Sequence, residues 1–476
     1  MTIKWSPQQE AIFDWFRVGG GNLVVRARAG TGKTTTILHG LEFAPESSIL
    51  LAAFNKKIAT ELQRKLKNPR AEAKTLHSVG YSIIRSNWRG VGVDDQRTWV
   101  LAEESCPAGT PDTIISLVSK LSDLGKQIMP LADSSEALIE IADDFDCVPA
   151  TNKYTVEQIA EYAFNAMRLA RRRAQVVSFQ DMCYLPLVNE WVAGKYPLVV
   201  IDECQDMNPA QILLAQQVLA PNGRIAVVGD DRQGIYRFRG ADSESLDRLK
   251  AEYNAVELPL TVTYRCPKKI VELAQTLVPD YQCADTAPDG LITDLAYDKL
   301  AVTAAPGDFV LSRVNAPLVK TCLSLLRNGT RATVEGRDIG KGLTALVRKL
   351  GNGGDVSQFL EKLHEWELIE VGRARNAKKD SKAVEIADRA ETLRVLAEGI
   401  VTLTELQRVL DSLFSDDGTR ENQVTCSTVH KAKGLEARRV FLLEGTLYPG
   451  GRKTLEEQNI HYVGITRAIE ELSLVK

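Results

Sequence analysis

Asn22-Leu-Val-Val-Arg-Ala-Arg-Ala-Gly30-Thr31-Gly32-Lys33-Thr34-Thr35-Thr36 is the stretch whose reading decides the fold. Its apolar run predicts a buried strand, its glycines a turn, and the lysine and threonines the opening of a helix. That order makes an anion cradle. Glycines let backbone N–H groups turn inward, and the helix N-terminus adds a favourable dipole. Ala29, Gly30, Thr31, Gly32, Lys33, Thr34 and Thr35 are therefore candidate phosphate contacts. Lys33 is placed to reach the terminal phosphates of a nucleotide, and the Thr34 hydroxyl to hold Mg²⁺. Ala27 stands where the strict pattern has its first glycine.

Working outward, apolar runs at Ile49–Phe54, Leu198–Asp202 and Ile225–Gly229 join this strand in one group. A second group comprises Asp308–Arg313, Ala332–Glu335, Val424–Val429, Arg439–Leu443 and Leu472–Val475. Strands alternating with helical patterns predict parallel sheets covered by helices, and two groups predict two α/β lobes. Residues from about Ile84 to Val176 and from about Leu343 to Phe414 read as helical insertions. The expected division is 1–84 with 177–280 for the first lobe, 85–176 for its insertion, 281–342 with 418–476 for the second lobe, and 343–417 for a reduced insertion.

Two further strands end in polar groups. Tyr196-Pro-Leu-Val-Val-Ile-Asp202-Glu203-Cys-Gln205-Asp206 closes an apolar run with acids. Adjacent carboxylates at the end of a buried strand are costly unless a cation or a reacting water is held there. Asp202 fits a Mg²⁺ ligand, and Glu203 the group that orients and deprotonates an attacking water. The competing reading, a helix N-cap by Asp202 or Asp206, loses its force beside the phosphate loop. Arg224-Ile-Ala-Val-Val-Gly229-Asp230-Asp231-Arg-Gln233 ends in the same manner, with Gln233 placed to sense a terminal phosphate.

The bulk numbers bound the class. The chain has 476 residues, 44% hydrophobic and 25% charged, with a formal net charge of −3. Length alone suggests about three domains. The charge balance requires any nucleic-acid contact to run along a local basic track. The 8 cysteines show no Cys-x-x-Cys pair, so they read as reduced thiols. The N-terminus lacks a signal-peptide pattern, and no run approaches the length of a membrane span. The expectation is a cytoplasmic protein without a membrane partner, or a nuclear one in a eukaryotic cell. Arg171-Arg172-Arg173 reads as a solvated helix face.

At this point the residues resemble the UvrD/Rep/PcrA family of superfamily-one DNA helicases, in the family's order across almost the whole chain. Trp5-Ser-Pro-Gln8-Gln9 looks like the glutamine motif that reads adenine, with Gln9 the choice and Gln8 left open by spacing. Gly229-Asp-Asp-Arg-Gln233-Gly-Ile-Tyr236-Arg-Phe238-Arg239-Gly240-Ala241 is the longest shared signature. Tyr264-Arg265 resembles the pair that stacks on the base and contacts the γ-phosphate. Ser312-Arg313-Val-Asn315, Thr428-Val-His430-Lys-Ala-Lys433-Gly434-Leu435-Glu436 and Tyr462-Val-Gly464-Ile-Thr466-Arg467-Ala468 are similar to the motifs of the second lobe.

The resemblance implies two RecA-like parallel-sheet lobes, each with a mostly helical insertion, and ATP with Mg²⁺ as cofactors. It implies catalytic roles for Lys33, Asp202, Glu203, Gln233, Arg265 and Arg467, with Gln9, Tyr264 and Glu436 on the nucleotide. If Arg265 and Arg467 both reach one phosphate, ATP lies between the lobes, and its hydrolysis is coupled to their motion. The implied partners are single-stranded DNA and single-strand/duplex junctions, contacted by Phe54, Asn55, Thr75, His77, Tyr236, Phe238, Arg239, Arg313, Asn315 and His430. An accessory DNA-processing protein is a further implied partner. The strand preceding Phe54 gives core packing real weight as an alternative for that ring. The expected activity is translocation in the 3′-to-5′ direction with strand separation. A translocase that strips bound proteins, or a motor subunit of a larger complex, is the alternative. The short insertion after Gly340 motivates it, as does the end of the sequence nine residues after Arg467.

Overall fold

The computed structural model describes residues 4–18, 20–149, 153–173, 175–191, 195–235, 245–351, 355–376, 379–415, 422–451 and 453–476. The chain divides into two compact units, residues 1–28 with 32–261 and residues 29–31 with 262–476.

The first unit is built on six parallel strands: β1 (Leu23–Ala27), β2 (Ile49–Ala53), β3 (Ala71–Thr75), β4 (Tyr196–Ile201), β5 (Leu219–Gly229) and β6 (Val256–Leu260), in the order β3-β2-β4-β5-β1-β6. Alternation along the strands fills both faces. Leu23, Val25, Ile49, Leu51, Leu198 and Val200 enter one core, and Val24, Leu50, Val199, Ile201 and Val227 enter another. Burial on both faces is why these strands read as unbroken apolar runs. Sequence reading passed over β3, Ala-Glu-Ala-Lys-Thr, and β6, Val-Glu-Leu-Pro-Leu, because both carry polar or breaking residues. They lie at the two edges of the sheet, where one side of a strand has no neighbour to satisfy. Pro259 is tolerated there because no second ladder requires its missing N–H.

Helices Arg97–Ser105, Asp112–Ile128 and Val156–Ala170 build a separate core in the first unit. An ion cluster is buried among them. Asp181 Oδ2 accepts from Arg97 Nε at 2.7 Å, and its Oδ1 lies 2.8 Å from Lys126 Nζ.

The second unit carries seven strands: β7 (Leu291–Leu295), β8 (Phe309–Ser312), β9 (Ala332–Glu335), β10 (Phe414–Ser415), β11 (Val424–Thr428), β12 (Ala437–Leu443) and β13 (Ala468–Val475), all parallel, in the order β7-β13-β12-β8-β11-β9-β10. Helices Arg337–Gly351, Val356–Asn376, Asp380–Ala397 and Leu403–Leu413 share a core with this sheet. The α/β class and the two RecA-like lobes expected from sequence are present. Among the described residues no helix is long and apolar enough to cross a membrane.

Candidate nucleotide and nucleic-acid site

In the first sheet β4, β5 and β1 are neighbours and run in parallel. Their C-terminal ends therefore share one edge, where ligands of such sheets are held. The phosphate loop, Asp202-Glu203 and Asp230–Gln233 all emerge there.

Helix Lys33–Gly40 starts from Gly32, whose φ is 77°, and Gly30 has φ 69°. Both are left-handed conformations that glycine adopts without strain. At Gly30 an added Cβ would stand 2.6 Å from Cβ of Arg265 and 2.6 Å from Oγ1 of Thr263, so this position has no room for a side chain. Ala29 is held at both its polar backbone atoms. Its N–H donates to the Tyr462 hydroxyl at 2.9 Å, and its carbonyl accepts from the Tyr281 hydroxyl at 3.0 Å. Neither tyrosine was singled out from sequence as a site residue, because a lone tyrosine carries no local signal of its partner.

Lys33 Nζ lies 2.9 Å from Glu203 Oε2. Burial opposes charge on Lys33, but Glu203, Asp230 and Asp202 outweigh it and hold the ammonium above its usual pKa. Burial pushes the Asp202 carboxyl up to about 7, and Glu203 adds to the effect. Glu203 itself sits at φ 53°, ψ 45°, an unusual left-handed conformation for a residue with a Cβ. Such strain costs of order 1–3 kcal/mol and clusters at functional positions.

A chain of hydrogen bonds runs from Glu203 to Gln233. Gln205, fully buried, donates from Nε2 to Glu203 Oε2 at 2.6 Å and accepts at Oε1 from the Asp230 backbone N–H at 3.0 Å. Asp230 Oδ2 accepts from Gln233 Nε2 at 2.6 Å. Asp230 and Asp231 also receive Arg28 Nη1, at 3.3 and 2.7 Å. That buried pairing gives Arg28 its place in the loop after β1. Gln205 and Asp230 were quoted within their motifs from sequence but not chosen as site residues. Their positions between an acid and Gln233 are what mark them.

Gln9 Nε2 donates to Thr36 Oγ1 at 3.0 Å, beneath the phosphate loop, and its Oε1 accepts from Ser6 N. Gln8 spends both ends of its amide on Thr261, at 2.9 and 3.0 Å. The loop's glycines, the Thr34 hydroxyl and the buried Asp202 carboxyl fit a Mg²⁺-bound nucleotide, since that cation is held by one or two carboxylates together with phosphate oxygens. Bound there, Mg²⁺ would neutralise phosphate charge and return Asp202 to its ionised form.

In the second unit Arg467 is fully buried. Its Nε donates to the Val463 carbonyl at 2.9 Å, Nη1 to the Leu435 carbonyl at 3.1 Å and Nη2 to Thr466 Oγ1 at 3.2 Å. Among the described residues no carboxylate pairs with it. Burial, and then the neighbouring Arg265, lower its pKa to about 10. Its buried guanidinium is thus held by neutral acceptors, with its charge uncompensated among the described residues. Arg265 Nε lies 2.5 Å from Glu436 Oε2, so two residues expected to act on the nucleotide meet each other. Tyr264 is 52% exposed, and its N–H donates to the Gly30 carbonyl.

The candidate DNA contacts fall into several situations. Asn55 and Thr75 cap helices Lys56–Lys65 and Leu76–Asn87, accepting from Ile58 N and Ser78 N. Phe54 is half-buried. His77 stacks on Phe179 with centroids 3.8 Å apart and planes 15° from parallel. Phe179 is 50% exposed and was missed from sequence, where a single aromatic in Ser178-Phe179-Gln180 gives no periodic signal. Arg313 is held by both Glu457 oxygens, at 3.0 and 3.1 Å from Nε. Asn315 binds Asp388, whose oxygens also receive the Asn315 and Ala316 backbone N–H groups. His430 is half-buried and has a polar partner. Tyr236, Phe238 and Arg239 lie outside the described residues.

Comparison with known proteins agrees with the resemblance. The profile of the UvrD/REP helicase N-terminal domain matches residues 5–254, and that of the UvrD-like helicase C-terminal domain matches residues 355–476. The chain is similar to the ATP-dependent DNA helicase PcrA of Bacillus subtilis, 23% identical over an alignment of 617 positions that covers 98% of this chain and 82% of that protein. The PcrA of Staphylococcus aureus is 25% identical, over 60% of this chain and 41% of its own length. DNA helicase II of Haemophilus influenzae is 22% identical, over 54% and 38%. The chain belongs to the UvrD/REP helicase family.

Proposed function

We propose that this member of the UvrD/REP helicase family is an ATP-dependent DNA helicase that translocates on single-stranded DNA, 3′ to 5′, and separates strands. The observation that carries the reading is the connected set Lys33–Glu203–Gln205–Asp230–Gln233 at the ends of β1, β4 and β5. Its chemistry suits phosphoryl transfer to water. Lys33 has the reach and charge to hold terminal phosphates, and its present partner Glu203 is then released to orient and deprotonate the attacking water. Gln9, Tyr264 and Glu436 are assigned to the nucleoside, and Arg265 and Arg467 to the γ-phosphate. An arginine supplied to that charge is worth about 10³–10⁵ in rate.

Hydrolysis reaches DNA through Gln233 in this reading. Gln233 senses the γ-phosphate and reports it to a DNA contact nearby, while Asp230 and Gln205 tie it to Glu203. Phe54, Asn55, Thr75, His77, Tyr236, Phe238, Arg239, Arg313, Asn315 and His430 are assigned to the strand. To these we add Phe179, an exposed ring already stacked on His77. The decisive experiment measures phosphate release with and without single-stranded DNA, then unwinding from each overhang. Release stimulated by DNA, with opening from the 3′ overhang, is expected. Opening from the 5′ overhang alone refutes the polarity, and no release in either condition sinks the enzyme.

A second reading is a translocase that displaces bound proteins with little unwinding, alone or within a larger complex. It is favoured by the 617-position alignment, longer than the 476 residues here, which requires this chain to lack segments of the relative. Strong single-strand ATPase with weak strand separation would select it.

A further inference from the structure

Asp181 is fully buried, and the two cations that meet it, Arg97 and Lys126, are buried with it. They come from helices Arg97–Ser105 and Asp112–Ile128 of the helical core in the first unit. Arg97 also donates from Nη2 to the carbonyls of Ala170 and Arg173, at 2.9 and 3.0 Å, which brings in the end of helix Val156–Ala170. Burial opposes charge on Asp181, but Lys126 and Arg97 outweigh it and hold the carboxyl below its usual range. The hydrogen bonds it accepts are therefore charge-assisted, the strong and directional kind. One of them reaches the backbone of a turn. Asp181 Oδ2 accepts from Ser178 N at 3.0 Å, while Asp181 N donates to Ser178 Oγ at 3.3 Å. This reciprocal pair encloses Phe179 and Gln180. The Phe179 carbonyl is tied in turn, accepting from Met182 N at 3.2 Å.

The partner of the Phe179 ring is fixed as well. Helix Leu76–Asn87 meets helix Asp181–Val188 at Gly80, where an added Cβ would stand 1.8 Å from the Met182 carbonyl oxygen. His77 lies about one turn before Gly80, and Phe179 three residues before Met182, so this close approach brings the two rings face to face. We propose that Asp181, held by Arg97 and Lys126, is a positioning residue for single-strand binding that fixes the pose of Phe179. The inference rests on the assignment of Phe179 to the strand and adds what orients it. An apolar filler of similar volume would pack these helices as well, without the desolvation cost of three buried charges. What the carboxylate supplies is register, because its bond to Ser178 N decides which residue of the turn stands outward. A base gains from a ring already in place, since little rotamer freedom is then lost on binding. Arg97 and Lys126 are buried and act on the strand only through this turn.

The test uses the full chain. Asp181→Ala/Lys126→Met removes the carboxylate together with one of its cations, and leaves Arg97 on the carbonyls of Ala170 and Arg173. Oligo-dT affinity is expected to fall by about 5–150-fold, the range of one stacked base. On a Phe179→Ala background the same substitutions are expected to change affinity by less than about two-fold, since residues acting through one contact are not additive. Where Phe179→Ala itself weakens binding, no loss on either background, or an equal loss on both, overturns the proposal. His77 gives a second readout. Its imidazole, held to a pKa of about 4 by burial, is expected to titrate nearer the free value of about 6.5 once the ring stacked on it is loose. A midpoint still near 4 overturns the proposal whatever the affinity. Should the double variant not fold, Ser178→Ala removes only the hydroxyl that accepts from Asp181 N, and both readouts are expected to move in the same direction by less. If they stay at wild-type values, the proposal falls. Failure of the strand assignment shows separately, as wild-type oligo-dT affinity in Phe179→Ala alone, and the His77 midpoint then still decides whether Asp181 sets the ring.

Discussion

Lys33 Nζ and Glu203 Oε2 stand 2.9 Å apart, so the cation expected to meet a phosphate is already paired with the acid expected to activate water. Without nucleotide the two neutralise each other. In the proposed mechanism a terminal phosphate would compete for Lys33 and so release Glu203 to act as the base, joining binding to activation.

Lys33→Ala should abolish turnover and also weaken the nucleotide-free fold. Removing the ammonium leaves Glu203, Asp202 and Asp230 without the charge that offsets their mutual repulsion. Loss of a hydrogen bond to a charged group costs about 1.5–3 kcal/mol. Urea denaturation in the absence of nucleotide measures it, and a wild-type midpoint would show that the pair contributes nothing.

Glu203→Gln keeps the shape and loses the base. Phosphate release should fall by about 10²–10⁴ while nucleotide affinity stays within a few-fold. Fluorescent-nucleotide titration beside a phosphate-release assay separates the two. Turnover near wild type would transfer the base role elsewhere.

Arg467→Lys tests the buried guanidinium. The shorter ammonium cannot reproduce three hydrogen bonds to Val463, Leu435 and Thr466. A fall of about 10³ in kcat is expected, with a smaller change in nucleotide affinity. If only the melting temperature moves, Arg467 is a structural residue.

Phe179→Ala should weaken single-strand binding by about 1–3 kcal/mol, the worth of one stacked base. Phosphate release without DNA should not change. Equal affinity for oligo-dT in variant and wild type removes Phe179 from the strand's path.

His77 is driven down to a pKa of about 4 by burial, so it is neutral at pH 6. The unfolded chain carries a histidine of about 6.5 and binds the proton that the folded state refuses. This contribution to stability is present above about pH 6.5 and is lost as pH falls toward 4, with a slope approaching 1.4 kcal/mol per pH unit. An NMR titration of His77 Cε1 checks it directly. A midpoint near 6.5 would mean that the stack on Phe179 does not shield the ring.

The sequence made the strands legible where burial on both faces forced an unbroken apolar run, as in β1, β2 and β4. It made the site legible where chemistry is local: a glycine turn before Lys33, and two acids at the end of a strand. It was silent where meaning comes from a partner distant in sequence. Arg28 gains its role only beside Asp231, and Gln205 only between Glu203 and Asp230. Edge strands were missed for a related reason. With a single neighbour each, β3 and β6 need not be apolar.

Those two edges also guard the protein against itself. A bare strand invites pairing by any extended chain, including another copy caught partly folded. At one margin Pro259 interrupts the row of donors that such a guest would need. At the other, Glu72 and Lys74 set charges along the rim, 2.6 Å apart. The same residues that hid these strands from sequence reading blunt both edges of the sheet against pairing with another chain.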